Sequence, residues 1–452
     1  MKELNRDSMT EYVRKCLDSS GHDRLREFLS GLQPFDISVL LQDLSETEQL
    51  AVLSLLPAET AADVLEHMDY EGQYRLLDHM DDECAKAIIA QMSEDSVADL
   101  IMAIHPLQAK RILSMVPEKD LASIQYLMTY PDNSAGGIMT LDYIAVRQHW
   151  TVSDVIDHFR KVGATASVTN YLYVVDRQGK LVGVVSLKEV LLSEPQTLVS
   201  EIMHPKVVCV DVNMDQEDVA KMFSDYDFYA LPVVNGGGRL VGVITVDDII
   251  DVIEEEDTED IHKIGGSRPL DDPYMSSSVT TVFRKRIGWL LVLFVAEALT
   301  GNILKTYEAV LSQVVALTFF IPLLTDTGGN SGSQASTLVI RAMALGEVTI
   351  RDFATIILKE IQVGAILGLA MGTVGFVFSW LIGGSIAIAV TVAITLIAVL
   401  IVSSTVGAAL PLIGAKFGLD PAVFSAPLIT TVVDATGLLI YFKVACSLLK
   451  LS

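Results

Sequence analysis

RKRIGWLLVLFVAEALTGNIL, Arg284 to Leu304, is the stretch that decides the fold. Three consecutive basic residues give way to an apolar run long enough to cross about 30 Å of hydrocarbon as a helix. Runs of the same kind recur along the rest of the chain and predict membrane-spanning helices at about 287–306, 309–340, 354–382, 386–412 and 423–448. The second run is interrupted by TDTGGNSGSQ (Thr325–Gln334), which is too polar for a helix facing lipid. Such a stretch is tolerated at membrane depth only beside protein or water. Basic residues set the orientation. With the N-terminus inside, Arg284, Lys285, Arg286, Arg341, Arg351, Lys359 and Lys416 fall on the cytoplasmic side and only Lys305, Lys443 and Lys450 outside, the positive-inside bias. Five spans place the C-terminus outside.

Upstream of Arg284 the chain changes character. Of 32 basic and 57 acidic residues, 10 and 8 lie from Arg284 onward, leaving 22 and 49 before it: a net charge of −27 against +2. Nucleic acid is an unfavourable partner for the acidic half, because its phosphates would be repelled. Cations are the natural counterpart. Cys16, Cys84, Cys209 and Cys446 are scattered, with no spacing for a zinc site or a disulfide framework. The N-terminus, MKELNRDSMT, is polar and does not read as a signal peptide, so the acidic region is expected to stay in the cytoplasm.

Two different repeats organise the acidic half. ISVLLQDLSE from Ile37, AADVLEHMDY from Ala61 and AKAIIAQMSE from Ala85 recur every 24 residues, and QAKRILSMVPE from Gln108 follows in looser register. Each apolar face is too short to bury itself alone, so stacked helices, a small α-solenoid, are expected; an irregular helical bundle is the alternative. PDNSAGGIMT (Pro131–Thr140) then marks a boundary with proline and paired glycines. Beyond it YVVDRQGKLVGVVSLKEVL from Tyr173 matches PVVNGGGRLVGVITVDDII from Pro232, 59 residues later, with Gly179/Gly238 and Gly183/Gly242 in register. Both units share an opening Ile-Met, at Ile138 and Ile202. Each reads as strand, helix, strand, turn, strand, helix. This duplication resembles a tandem pair of CBS domains, a regulatory module that often binds adenine nucleotides. The resemblance leaves two readings: an ATP-type site, or a purely structural or dimerising pair.

Carboxylates are dense where the helices are predicted. Asp95 and Asp99 are four apart on one helix face. Asp215 and Glu217 open a helix that Asp225 and Asp227 end, and Asp247 and Asp248 begin another that runs into EEEDTED (Glu254–Asp260). Divalent cations would relieve the repulsion, since hard cations prefer carboxylate oxygens; a solvated acidic face is the bland alternative. In the membrane region Asp434 sits mid-helix in PLITTVVDATGLLIYF. An unpaired carboxylate at this depth costs at least about 2.5 kcal/mol, which points to an ion pathway or a buried pair. Glu297 reads equally as a second pathway acid or as a helix–helix contact. All eight histidines lie at or before His262, and there is no HExxH, P-loop or nucleophile motif, so no catalytic apparatus is visible and an enzyme is not expected.

Taken in order, these features resemble the MgtE family of magnesium transporters over nearly the whole chain. TGGNSGSQAS (Thr327–Ser336) and PLITTVVDATGLLIYF (Pro427–Phe442) carry the membrane part of the resemblance, and YDF at Tyr226 with VDDIIDV…EDIHKIG from Val246 the soluble part. The fold class expected is a multidomain membrane protein: an α-helical solenoid-like N domain (1–130), a tandem α/β CBS pair (135–199 and 200–256), a linker or plug helix (257–283) and an all-α five-helix transmembrane domain (284–452). The resemblance implies a homodimeric Mg2+ channel in the cell membrane with its pore between subunits. Asp434 matches the pore acid, and Gly329 and Asn330 match pore-lining positions. Asp95, Asp99, Asp215, Glu217, Asp227, Asp248, Glu256 and Glu259 match regulatory Mg2+ ligands, and Gly137 a backbone ligand. Ala426 stands where some members carry Asn, and Asp326 where some carry Gly.

The mechanism this implies is simple. Mg2+ keeps most of its water, so paired Asp434 carboxylates would attract a hydrated ion without stripping it. An inside-negative potential is worth about 4.6 kcal/mol per 100 mV to a divalent ion, so entry needs no energy-coupling domain. High cytosolic Mg2+ would bridge the acidic surfaces and close the pore through the linker. Two alternatives accompany this expectation: transport of Co2+ or Mn2+, which share oxygen ligands, or gating chiefly by adenine nucleotide at the CBS pair.

Overall fold

The structure is a computed structural model and describes residues 6–19, 21–163, 168–270, 274–275, 277–383 and 385–451. It divides into two compact units, Met1–Ile253 and Glu254–Ser452.

The first unit begins with ten short helices: α1 (Arg6–Asp18), α2 (His22–Leu29), α3 (Pro34–Leu41), α4 (Glu46–Leu53), α5 (Ala58–Glu66), α6 (Tyr70–His79), α7 (Asp82–Ile89), α8 (Glu94–Ala103), α9 (Pro106–Leu113) and α10 (Leu121–Leu127). Local chemistry starts many of them. Ser45 and Glu48 form a capping box, Asp69 and Ser93 cap with their side chains, and Pro34 and Pro106 open α3 and α9. The 24-residue repeat is therefore a pair of helices, and the quoted segments are the odd-numbered ones. Odd helices stack on odd (α3 on α5, α5 on α7) and even on even (α4 on α6, α6 on α8, α8 on α10). Ile37, Leu41, Ala61, Leu65, Ala85 and Ile89 are buried between them. The solenoid expectation holds.

Two α/β subdomains follow. The first has β1 (Tyr143–Arg147), α11 (Val152–Val162), β2 (Val168–Val175), β3 (Leu181–Ser186) and α12 (Leu187–Leu192). After the short α13 (Val199–Ile202), the second has β4 (Val210–Asp211), α14 (Gln216–Tyr226), β5 (Ala230–Val234), β6 (Leu240–Thr245) and α15 (Val246–Ile264). In both sheets the first strand is parallel to the second and the second antiparallel to the third. Gly179 and Gly238 take φ of +81° and +72° in the matching hairpin turns, which explains their register. The second glycine pair and the Ile-Met pair explain one another. A Cβ at Gly242 would stand 2.5 Å from Met139 Sδ, and one at Gly183 2.8 Å from Met203 Sδ. Each unit's opening methionine thus packs on the other unit's hairpin, and Thr140 pairs with Val243 as His204 pairs with Val184.

The second unit holds the C-terminal part of α15, then α16 (Val279–Thr306), α17 (Glu308–Gln313), a 3-10 segment (Val315–Phe320), α18 (Ile321–Ala344), α19 (Phe353–Gly383), α20 (Ile386–Lys416) and α21 (Ala426–Leu449). Among the described residues four helices are long and apolar enough to cross a membrane: Val279–Thr306, Ile350–Ile382, Ile386–Lys416 and Ala426–Leu449. The second expected span, 309–340, is corrected. It is not one run: the chain breaks at Val314, and α18 continues unbroken through TDTGGNSGSQ. That segment closes its own backbone hydrogen bonds, and its glycines admit close neighbours; a Cβ at Gly332 would meet Ser403 O at 3.2 Å. The 257–283 linker helix is also redrawn. Its first part is the end of α15, which stops at Ile264, and its last part is the start of α16.

Candidate ion pathway and acidic cluster

α18 is the most polar of the long helices in the second unit, and its polarity is ordered. Asp326, Asn330, Gln334, Thr337 and Arg341 fall at intervals of four, four, three and four, and all five are exposed on one face. The opposite face carries Gly328, Ser331, Gly332, Ala335, Ser336 and Val339, buried against α20 and α21. Ser331 and Ser404 share a buried hydrogen bond of 3.0 Å across that contact. The polar stripe covers about 22 Å of helix. Gly329 is turned away from it, toward Thr430, where a Cβ would come within 3.0 Å of Cγ2.

Asp434 lies on α21, partly buried, with no described basic side chain paired to it. The carboxylates within electrostatic reach of it are Glu297 on α16 and Asp326 on α18. Three acids from three helices therefore face one region. Ser333 Oγ donates to Ala426 O at 3.4 Å, so the position that lacks an amide is met through its backbone.

In the first unit the structure brings Asp95 and Asp248 together. Asp95 Oδ1 is buried without a hydrogen-bond partner. Burial pushes its carboxyl up to about 6, with the charges of Glu66 and Asp142 adding to the rise and a Thr140 bond opposing it. Asp248 is pushed up to about 7, by burial first and then by Asp95 and Asp247, against a hydrogen bond from Thr245. Burial also raises Glu66, which accepts from Ser93 N at 2.8 Å, and Glu94. Glu66, Glu94 and Asp142 were not singled out in the sequence. Nothing in their spacing marks them, because α5, α8 and the 140–142 turn meet only in the fold.

The remaining candidates do not converge on one point. Asp215 caps α14, accepting from Glu217 N at 3.0 Å, while Asp227 ends the same helix with φ of 54°. Twelve residue steps place them about 18 Å apart. Glu217 pairs with Lys221 at 3.0 Å. Gly137 sits in a turn joined to the start of α14 by Ala135 N to Met214 O, 2.7 Å, and a Cβ there would collide with Pro131 O. Asp99 lies on α8 one turn from Asp95, and Glu256 and Glu259 on α15, where Glu259 is ion-paired with Lys263. Among the described residues no three His, Cys, Asp or Glu side chains are gathered closely enough to hold a metal ion.

Family models agree with these divisions. A divalent cation transporter model matches residues 321–444, the MgtE intracellular N domain 32–133, and the CBS domain 135–194 and 199–255. The chain is 40% identical over 443 residues to the magnesium transporter MgtE of Thermus thermophilus, covering 97% of this chain and 98% of that one. It is 33% identical over 420 residues to the magnesium transporter MgtE of Bacillus subtilis, 93% of each. Among solved structures, the cytosolic domain of the Mg2+ channel MgtE in complex with ATP is similar with 38% identity and a TM-score of 0.52, over 54% of this chain and 99% of that one. With relatives this similar over nearly its full length, the chain belongs to the MgtE family of divalent cation transporters.

Proposed function

We propose that this protein is a Mg2+ channel of the cell membrane, working as a homodimer with its N-terminus in the cytoplasm. The observation that carries the reading is the exposed stripe Asp326–Asn330–Gln334–Thr337–Arg341 on a helix of membrane-spanning length. Ionisable groups at that depth face water or protein and not lipid. A second copy laid against this face would enclose a polar path with two Asp434 side chains on it. Carboxylates from two subunits attract a hydrated divalent ion and repel anions, and the membrane potential supplies the drive. The names of its relatives support Mg2+ as the ion.

Closure by cytosolic Mg2+ follows from the acidic cluster. Asp95 and Asp248 belong to α8 and α15, and their mutual repulsion is relieved by a cation. An ion there would fix the start of α15, the helix that continues into the second unit. Asp99, Gly137, Asp215, Glu217, Asp227, Glu256 and Glu259 would bind further ions around it. ATP at the CBS pair would act as a second input; support comes from the nucleotide bound by the similar cytosolic domain. In liposomes Asp434→Asn should abolish Mg2+ flux while leaving the oligomer intact; wild-type flux in that variant would sink the pore assignment. Competition by Co2+ and Mn2+ in the same vesicles ranks the ions.

A further inference from the structure

The end of α15 is fastened to the pore domain by fixed charges. Lys263 Nζ donates to Asp420 Oδ2 at 2.7 Å and is also ion-paired with Glu259, one turn back on its own helix. Asp420 lies in the connection between α20 and α21, where its other oxygen accepts from Ala422 N at 2.8 Å. Six residues earlier on α15, Asp257 Oδ1 accepts from Arg341 Nη1 at 2.7 Å. Arg341 is the last member of the polar stripe on α18. The turn after α15 is seated as well. Gly266, at φ +73°, would place a Cβ 2.7 Å from Trp289 Cδ1, and Arg268 N donates to Lys285 O at 3.1 Å. Trp289 Nε1 donates in turn to Ser425 Oγ at 2.9 Å, just ahead of α21.

We infer that Lys263 and Arg341 form a two-point clasp that keeps the end of α15 docked on the pore domain without a metal ion, Lys263 standing between Glu259 and Asp420. The inference rests on the Mg2+-gated reading above and adds to it a metal-free contribution to closure. A docked linker needs less Mg2+ to complete closure than a free one. The clasp therefore sets the concentration at which the channel shuts, and Lys263 acts as a positioning residue for the gate.

The test is Mg2+ flux into liposomes with internal Mg2+ varied, on the full chain carrying Lys263→Gln, Asp420→Asn or both. Each single change should raise the half-closing Mg2+ concentration by about two- to fivefold, the scale of a partly exposed ion pair. The double variant should shift no further than either single one, because the partners share one interaction. Flux at zero internal Mg2+ should stay equal or rise, and should not fall. Unshifted or additive thresholds overturn the clasp. So does a threshold lowered by Lys263→Gln alone, which would make Lys263 only a competitor for Glu259. Hydrogen exchange of residues 254–264 without Mg2+ gives an independent reading: protection in the wild type, lost in both single variants, supports the clasp, and equal exchange in all overturns it. A wild type whose flux ignores Mg2+ defeats the gated reading instead, and the exchange experiment still decides the docking.

Discussion

Gly407 on α20 faces the carbonyl oxygen of Gly332 on α18 so closely that any side chain at 407 would collide with it. This crossing, with the Ser331–Ser404 bond beside it, holds the polar helix in place. Gly407→Ala should force the two helices apart and cost about 1–3 kcal/mol, the usual scale of overpacking. Thermal unfolding in detergent would report it as a lowered midpoint with reduced flux. Gly288→Ala is the control: nothing lies within 4 Å of a Cβ there. Equal midpoints for the two variants would contradict the crossing.

The acidic cluster makes a prediction about pH. Asp95 and Asp248 have folded values of about 6 and about 7 against an ordinary 3.8. Metal-free, the folded chain thus holds protons that the unfolded chain has released. Their contribution to stability is complete below the ordinary carboxylate value and is lost as pH rises through about 6 and 7. Amide protection in α8 and early α15, taken relative to the intrinsic exchange rate at each pH, should therefore fall between pH 5 and pH 8 without Mg2+. Added Mg2+ should restore protection at pH 8 and change little at pH 5. Asp95→Asn should flatten both responses.

The exchange of opening methionines between the CBS units can be tested by compensation. Gly242→Val should destabilise the pair, since its side chain would meet Met139 Sδ at 2.5 Å and Thr140 O at 3.0 Å. Met139→Ala added to it should recover part of the loss, because the flexible thioether yields and the carbonyl does not. No recovery would mean that the methionine is not the obstacle.

Asp326 and Glu297 should act on the ion through space. Asp326→Asn and Glu297→Gln are expected to lower Mg2+ flux several-fold in low salt and much less at 0.5 M ionic strength, where screening leaves a Debye length of only about 4 Å. Salt-independent losses would point to a packing role instead.

Much of the architecture is legible in the sequence because it is periodic. The 24-residue helix pairs, the duplicated Gly-x-Leu-Val-Gly hairpins (179–183 and 238–242) and the long apolar runs each repeat a pattern that one packing geometry requires. TDTGGNSGSQ misleads because glycine and polar residues usually end helices; here the neighbours α20 and α21 occupy the space the glycines leave, so the helix persists. Asp434 could be picked out by depth alone. Glu66 and Asp142 could not, since what distinguishes them is burial beside Asp95. The Lys263–Asp420 pair spans 157 residues, and only the fold brings its halves together.

The polar face of α18 bears also on how the protein enters its membrane. A helix whose exposed side carries Asp326, Asn330, Gln334, Thr337 and Arg341 gains little from lipid by itself, and it is absent from the helices apolar enough to span. Its partners α20 and α21 come later in the chain, so their surfaces are not yet made when α18 leaves the ribosome. Stable insertion of α18 must therefore wait for the C-terminal helices, and a chain cut before Ala426 should leave α18 accessible to water-soluble labels, although every residue of α18 precedes that point.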